Sequence, residues 1–324
     1  MPQGIEVVLD LNEHPPGSPE YARARQSGIG GSIAGAVAGV SRYKTPYQAW
    51  CELTRDPGVL VEDEKEVMTW GKLLEAPVRD EFSRRTGIAV QPVNLMLRNR
   101  DYPWMIASPD GVTSTDGLLE GVYEGKTTRF SDDWATDANG ATKVPAEAGV
   151  QGQHYLAVTG LGVVHFACLI GGQQLVVAEV ERNDTLIDDL IAIEYEFWQK
   201  VTERIAPPVQ GADRTQLSRT WTPSEGKTVE LGKSAREIFA QRAQLVADAK
   251  ALTEQVDQID AVVMASLGDA EIGTVAGEVA VTWKASTSSR LDSKALREAH
   301  PALAAEFSKT TTTRRFLPKE LSAQ

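Results

Sequence analysis

The chain has 324 residues, 42% hydrophobic and 24% charged, with a formal net charge of −12, which suits a globular protein with one large core or a core plus an appendage. The acidity argues against a protein that coats nucleic acid, although a local basic channel or a carboxylate-rich metal site stays compatible with it. No apolar run reaches the roughly 18 residues of a membrane helix, and two cysteines are too few for a cysteine-built metal site, so we expect no membrane partner and a reducing cytoplasm.

Residues 1–24 read as an irregular segment with a loop at "HPPGSP". "GGSIAGAVAGVS" (30–41) reads as a short helix of small residues capped by Ser32. "TPYQAWCELT" (45–54) reads as a helix with Thr45 as cap and Pro46 at its first position, followed by a loop, "DPGVLVEDE" (56–64). In "EVMTWGKLLEAPVRDEFSRRTG" (66–87), Leu74, Val78 and Phe82 recur at fours and Gly87 suits a left-handed cap. Glu75 lies beside that apolar stripe.

"IAVQPVNLML", "WMIASPDGV" and "LLEGVYEGKTT" read as a meander of three or more strands. A helix over 145–160, two strands joined at Gly171-Gly172, and a helix over 184–205 capped by Asp184 complete an α/β core with a mixed sheet, over 25–206. Residues 207–232, rich in Pro and Gly, read as a linker. The remainder, 233–324, reads as a helical arm over 234–266, folded within the chain or, as the alternative, making an oligomer contact, plus a small β element.

The tetrapeptide Glu-Gly-Lys-Thr occurs twice, at 124–127 and 225–228. Neither copy is a phosphate-binding P-loop, because the required upstream glycine is Glu120 in one and Trp221 in the other. The first copy ends a strand-like run, where alternation puts Glu124 and Lys126 on one face. Asp110, in Pro109-Asp110-Gly111, closes another strand upstream. If the two strands pair, Asp110, Glu124 and Lys126 converge. Two carboxylates and the Gly125 carbonyl suit a hard cation, Glu75 adds a further carboxylate, and a lysine beside a phosphate stabilises developing negative charge. The second copy lies in the linker and reads as a solvated loop.

The ordered set "GGSIAGAVAGVSRYKTPYQAW", "WGKLLEAPVRDEF", "YPWMIASPDGV", "YEGKTT" and "VPAEAGVQGQHYLAVTG" resembles the YqaJ-like viral recombinase family, relatives of the phage lambda exonuclease in the PD-(D/E)XK nuclease superfamily. The resemblance runs over about 25–205. It implies a restriction-endonuclease-like fold and a Mg²⁺-dependent 5′→3′ exonuclease, with Mn²⁺ as a substitute. It also implies action on double-stranded DNA ends, alongside a single-strand annealing protein in a phage-infected or bacterial cytoplasm, and a homotrimer. Asp110, Glu124 and Lys126 match the family's catalytic trio, and Glu75 its helix-borne metal carboxylate. Gly125 would offer a carbonyl to the metal, although relatives usually carry a bulky apolar residue there. Gln151, Gln153 and Tyr155 fall on the family's glutamine-tyrosine helix facing the site. Arg25, Ser32 and Ser108 match positions cradling the terminal 5′-phosphate.

Other features read as structural. His154 is expected to be packed or solvated, and Trp50, Trp70 and Trp104 to lie in the core. Arg84, Arg85, Arg98, Arg100 and Arg129 are solvated faces that could contact a DNA backbone.

Overall fold

The computed structural model describes residues 4–55, 66–138, 140–220, 226–232, 234–309 and 314–319, so the expected loop over 56–64 lies outside the described residues. The chain divides into two units, Met1–Gln216 and Leu217–Gln324.

The first unit begins with strand β1 (Ile5–Asp10) and helix α1 (Pro19–Arg25), where an irregular segment was expected. The reason is local. "IEVVLD" carries the β-branched residues a strand favours. The Ser18 side chain accepts from the Tyr21 N–H, with Pro19 at the first helical position and Glu20 in the first turn. Then come β2 (Ile29–Gly30), α2 (Gly31–Val37), α3 (Pro46–Thr54) and α4 (Glu66–Thr86). Ser32 does not cap α2. Gly30 occupies that position, and no side chain caps it. Thr45 caps α3 in a reciprocal box with Gln48, as the sequence leads one to expect. Gly87 follows α4 at φ +75°.

The expected strand over 88–97 is two strands in different sheets, β3 (Ala89–Pro92) and β4 (Leu95–Asn99). Next are β5 (Met105–Ala107), β6 (Gly111–Thr115), β7 (Leu118–Thr128), α5 (Ala146–Thr159), β8 (Val163–Ile170), β9 (Gln174–Glu181) and α6 (Asp184–Thr202). The cap of α6 is Asn183, whose side chain accepts from the Leu186 N–H, one residue ahead of the expected Asp184.

The two sheets have orders β1-β4-β5-β2 and β3-β6-β7-β8-β9. In the larger, β7 and β8 pair in parallel and the other neighbours are antiparallel. A parallel pair needs a crossover, and α5 provides it, running back between the ends of β7 and β8. The mixed α/β core with helices around mixed sheets is therefore present. Its main apolar cluster joins α5 (Tyr155, Leu156, Val158) to β8 (Val164, Phe166, Cys168). A separate cluster packs Val78 and Phe82 of α4 against Tyr123 of β7.

Residues just past 206 pack on the first unit. Asp213 is fully buried and accepts the Thr45 hydroxyl and the Gln210 N–H at 2.6 Å. Helix α7 (Arg214–Thr220) spans the division. The second unit holds α8 (Ala235–Leu267), the hairpin β10 (Ile272–Val275) and β11 (Glu278–Thr282), and short helices α9 (Ser293–Ala299) and α10 (Pro301–Glu306). The long helix stands at its expected place, but none of its residues is buried.

Candidate active site

Two strands bring the first three candidates together. Gly111 at the start of β6 faces Tyr123 of β7 in the antiparallel register, which sets Asp110 level with Glu124 and Gly125. The Gly125 N–H donates to Asp110 Oδ2 at 2.8 Å. A Cβ on Gly125 would lie 3.4 Å from the Tyr123 hydroxyl and 3.6 Å from Asp110 Oδ2. The Tyr123 side chain, which packs against α4, borders that space.

Glu124 and Lys126 share the other face of β7 and meet α5. Lys126 Nζ donates to Glu124 Oε1 and to Gln151 Oε1, each at 2.8 Å. Gln151 Nε2 donates to Glu124 Oε1 at 2.7 Å and to the Tyr155 hydroxyl at 3.1 Å. The Tyr155 hydroxyl donates in turn to the Ser108 carbonyl at 3.2 Å. Gln151 and Tyr155 are one helical turn apart, so both reach the same side of α5.

Glu124 is 5% exposed, and its second oxygen, Oε2, is buried without a partner among the described residues. Such an orphaned carboxylate oxygen is costly unless a cation or donor meets it. Glu75, Asp110, Glu124 and Lys126 line one cleft of about 360 Å³ with Met68 and Gly71 of α4.

The electrostatics point the same way. Burial raises the Asp110 carboxyl well above the usual range, helped by the neighbouring charges of Glu124 and Glu75. Glu75 is raised by burial and by Glu124, with Arg79 opposing. Burial alone would lower Lys126, but the charge and hydrogen bond of Glu124 and the charge of Asp110 outweigh it and keep the ammonium protonated. Carboxylates crowded until they resist ionising are a functional-site signature, and a divalent cation would relieve the crowding. Among the described residues, no three His, Cys, Asp or Glu side chains stand at metal-holding spacing. Asp110 and Glu124 are instead turned toward the Gly125 N–H, Lys126 and Gln151. The donor types fit a hard cation, with Glu75 and the Gly125 carbonyl completing the oxygen set.

Arg25 and Ser32 are joined: Arg25 Nη2 donates to Ser32 Oγ at 2.9 Å. The guanidinium lies on the backbone of Gly30, where a Cβ would stand 2.4 Å from Nη1, and the Tyr155 ring lies equally close to Gly31. The Gly30-Gly31 pair is therefore required by two side chains, and through Tyr155 the Arg25–Ser32 pair adjoins the Gln151–Glu124 group. Sequence reasoning missed Glu52. It accepts from Arg25 at 3.3 Å and from Lys44. Burial opposes its ionisation, but the charges of Lys44 and Arg25 prevail and hold it below the usual carboxylate range. No sequence spacing announces it, since its partners lie 8 and 27 residues away.

Gln153 does not face the site. Its amide nitrogen donates to the Glu181 carbonyl at 2.7 Å, and its oxygen accepts the Asn183 N–H at 2.9 Å, so its two ends tie α5 to the end of β9 and the cap of α6. His154 is packed: its ring nitrogens meet Glu194 Oε1 at 2.8 Å and the Ile106 carbonyl at 2.9 Å, with the histidine and glutamate fully buried. Trp70 is 54% exposed, not core, whereas Trp50 and Trp104 are partly buried against apolar clusters. Arg84 and Arg85 both donate to Glu81, and Arg98 to Glu6 and Ser27.

The family model of the YqaJ-like viral recombinase domain matches residues 20–162. The YqaJ protein of Bacillus subtilis (strain 168) is 32% identical over 311 residues, covering 94% of each chain. Among solved structures, the alkaline exonuclease LHK-Exo of Laribacter hongkongensis aligns with a TM-score of 0.47 at 23% identity, over 57% of this chain and 93% of that one. A phage related exonuclease from Haemophilus somnus 129PT aligns at 0.43 and 11% identity, over 57% of this chain and all of the other.

Proposed function

The chain belongs to the YqaJ-like viral recombinase family, and on that premise we propose that it is a metal-dependent deoxyribonuclease. It shortens duplex DNA ends 5′→3′ and leaves single strands for an annealing protein, using the restriction-endonuclease-like site of the PD-(D/E)XK nucleases. The observation that carries this reading is Glu124. One of its buried oxygens is held by Lys126 and Gln151, the other has no partner among the described residues, and Asp110 and Glu75 line the same cleft.

Asp110, Glu124, Glu75 and the Gly125 carbonyl would hold Mg²⁺, or Mn²⁺ in its place. When bound, the cation supplies the Lewis-acid charge for phosphodiester hydrolysis. The chain's own residues do the rest. Lys126, kept cationic by Glu124, has three N–H donors and commits two of them to Glu124 and Gln151. The third is available to a phosphate oxygen and stabilises charge as it develops. Gln151 fixes both Glu124 and Lys126, and Tyr155 fixes Gln151. Arg25 and Ser32 offer a guanidinium and a hydroxyl to a terminal phosphate, near the Ser108 backbone.

The test is digestion with Mg²⁺ of linear duplex bearing 5′-phosphate or 5′-hydroxyl, beside closed circles. We expect linear DNA to be degraded, the phosphorylated form faster, and circles to survive. Cleavage of circles would make the chain an endonuclease, and Lys126→Ala digesting at the parent rate would overturn the mechanism.

A further inference from the structure

Beside the Arg25–Ser32 pair lies a second cation. Lys44 precedes Thr45, the cap of α3, and its ammonium donates to Glu52 Oε2. Arg25 Nη2 donates to the other oxygen, Glu52 Oε1, at 3.3 Å, as well as to Ser32 Oγ. The geometry points to Lys44 as a further ligand of a terminal phosphate monoester, set beside Arg25 by Glu52, which is a positioning residue. This inference rests on the reading of Arg25 and Ser32 as a terminal-phosphate site.

The backbone fixes where Glu52 stands. It lies near the end of α3, and helical side chains lean toward the helix N-terminus, here toward Lys44. The Glu52 carbonyl accepts from Gln26 Nε2 at 3.0 Å, and the same amide donates to the Arg55 carbonyl at 2.8 Å. Gln26 follows Arg25, so the end of α3 is fastened to the end of α1 where these side chains meet. Two cations share one carboxylate, which leaves a net positive group in a chain whose formal charge is −12. The acidic residues that meet the loop ahead of α3 are committed elsewhere. Asp133 and Glu147 pair with Arg42, and buried Asp213 accepts the Thr45 hydroxyl and the Gln210 N–H. The side chains of Arg25, Lys44 and Glu52 are 23–33% exposed, so a ligand can reach them. Glu52 engages one N–H of the Lys44 ammonium and leaves two for a phosphate oxygen. A guanidinium matches a phosphate as it matches a carboxylate, so cations spaced by one anion are set to receive another. A phosphate monoester carries about −1.5 to −2 near neutral pH, more than an internal diester, and so gains more from the second cation.

The test is binding of the full chain to short duplexes with 5′-phosphate or 5′-hydroxyl ends, followed by fluorescence anisotropy with Ca²⁺ in place of Mg²⁺. The parent should prefer the phosphorylated end. Lys44→Met should reduce that preference roughly fivefold, as for a partly exposed charge contact. Glu52→Gln should reduce it similarly, and Glu52→Asp, which keeps the charge, should retain more of it. Arg23→Ala removes an exposed cation of α1 paired with Glu20 and should keep the parental preference. An undiminished preference in Lys44→Met, or an equal loss in Arg23→Ala, overturns the assignment of Lys44. An undiminished preference in Glu52→Gln overturns the positioning by Glu52. A parent that binds both ends alike, or neither, overturns the phosphate site as a whole. Digestion is read separately: a parent that prefers phosphorylated ends but degrades no DNA removes the nuclease reading and leaves this site standing.

Discussion

The chain writes Glu-Gly-Lys-Thr twice and uses the two copies differently. At 124–127 the letters lie on β7, paired with β8 on one side and close to Asp110 on the other. There alternation places a carboxylate and an ammonium on one face, and α5 supplies Gln151 to hold both. At 226–228, Gly226, Lys227 and Thr228 are exposed, in neither helix nor strand, and Gly226 has φ +71°; Glu225 lies outside the described residues. The shared letters thus stand on a paired, partly buried strand in one copy and, at 226–228, on an exposed stretch in the other. Burial, strand pairing and a second carboxylate set the two apart, because only a desolvated Glu-Lys pair interacts strongly enough to be tuned.

The largest effect tests whether the first copy works at all. Lys126→Ala should lower the rate of DNA digestion by about 10²–10³, the usual cost of losing a preorganised charge-stabilising donor. Binding of DNA ends should weaken less. Glu124→Gln should fall similarly, because it neutralises the carboxylate that Lys126 and Gln151 both hold. A loss of under threefold in both variants would put the two copies on an equal footing.

The support behind the first copy comes next. His154 stands between Gln153 and Tyr155 in sequence but serves only the core. Both its ring nitrogens face acceptors, Glu194 Oε1 and the Ile106 carbonyl, so the ring is satisfied when it carries two protons, while Glu194 Oε2 stays buried without a partner among the described residues. Burial disfavours that charge, yet Glu194 and the Ile106 carbonyl raise the proton affinity above the usual value. His154→Ala should therefore destabilise the chain by about 3–5 kcal/mol in urea unfolding, as expected when one partner of a buried pair is removed. The sign of the pH dependence follows. The contribution is complete below the ordinary histidine value of about 6.5 and fades as pH rises through the raised folded value. The parent should lose stability over that window and His154→Ala should not.

A smaller effect separates the two glutamines of α5. Gln151→Ala should cost digestion about tenfold, a charged hydrogen bond being worth roughly 1.5–3 kcal/mol, with little change in unfolding. Gln153→Ala should do the reverse. It leaves the Asn183 N–H and Glu181 carbonyl unmet and lowers stability by about 1–3 kcal/mol.

That reversal also marks how far the sequence could be read. Period and punctuation were enough for α3, α4, α5 and the turn at Gly171-Gly172, where caps and left-handed glycines sit at their expected places. The convergence of Asp110 with Glu124 was legible because strand alternation and a short β6–β7 connection leave few registers. Gln153 was not, since a two-residue step along a helix turns a side chain through about 200° and the family pattern does not say which turn faces the sheet. The split of β3 from β4 could not be read locally, because it depends on which sheet each strand joins. Glu52 depends on two partners, Arg25 and Lys44, from separate segments. Such long-range pairs leave no trace in spacing.

The smallest expected effect is none, and it carries the control. Lys227→Ala alters an exposed residue outside any helix or strand, so digestion should match the parent within error and so should urea unfolding. Paired with Lys126→Ala on the same substrate, it holds the tetrapeptide constant and varies only the surroundings. If Lys227→Ala reduced digestion even tenfold, the second copy would have to touch DNA, and strand pairing beside Asp110 would no longer explain why the first copy works.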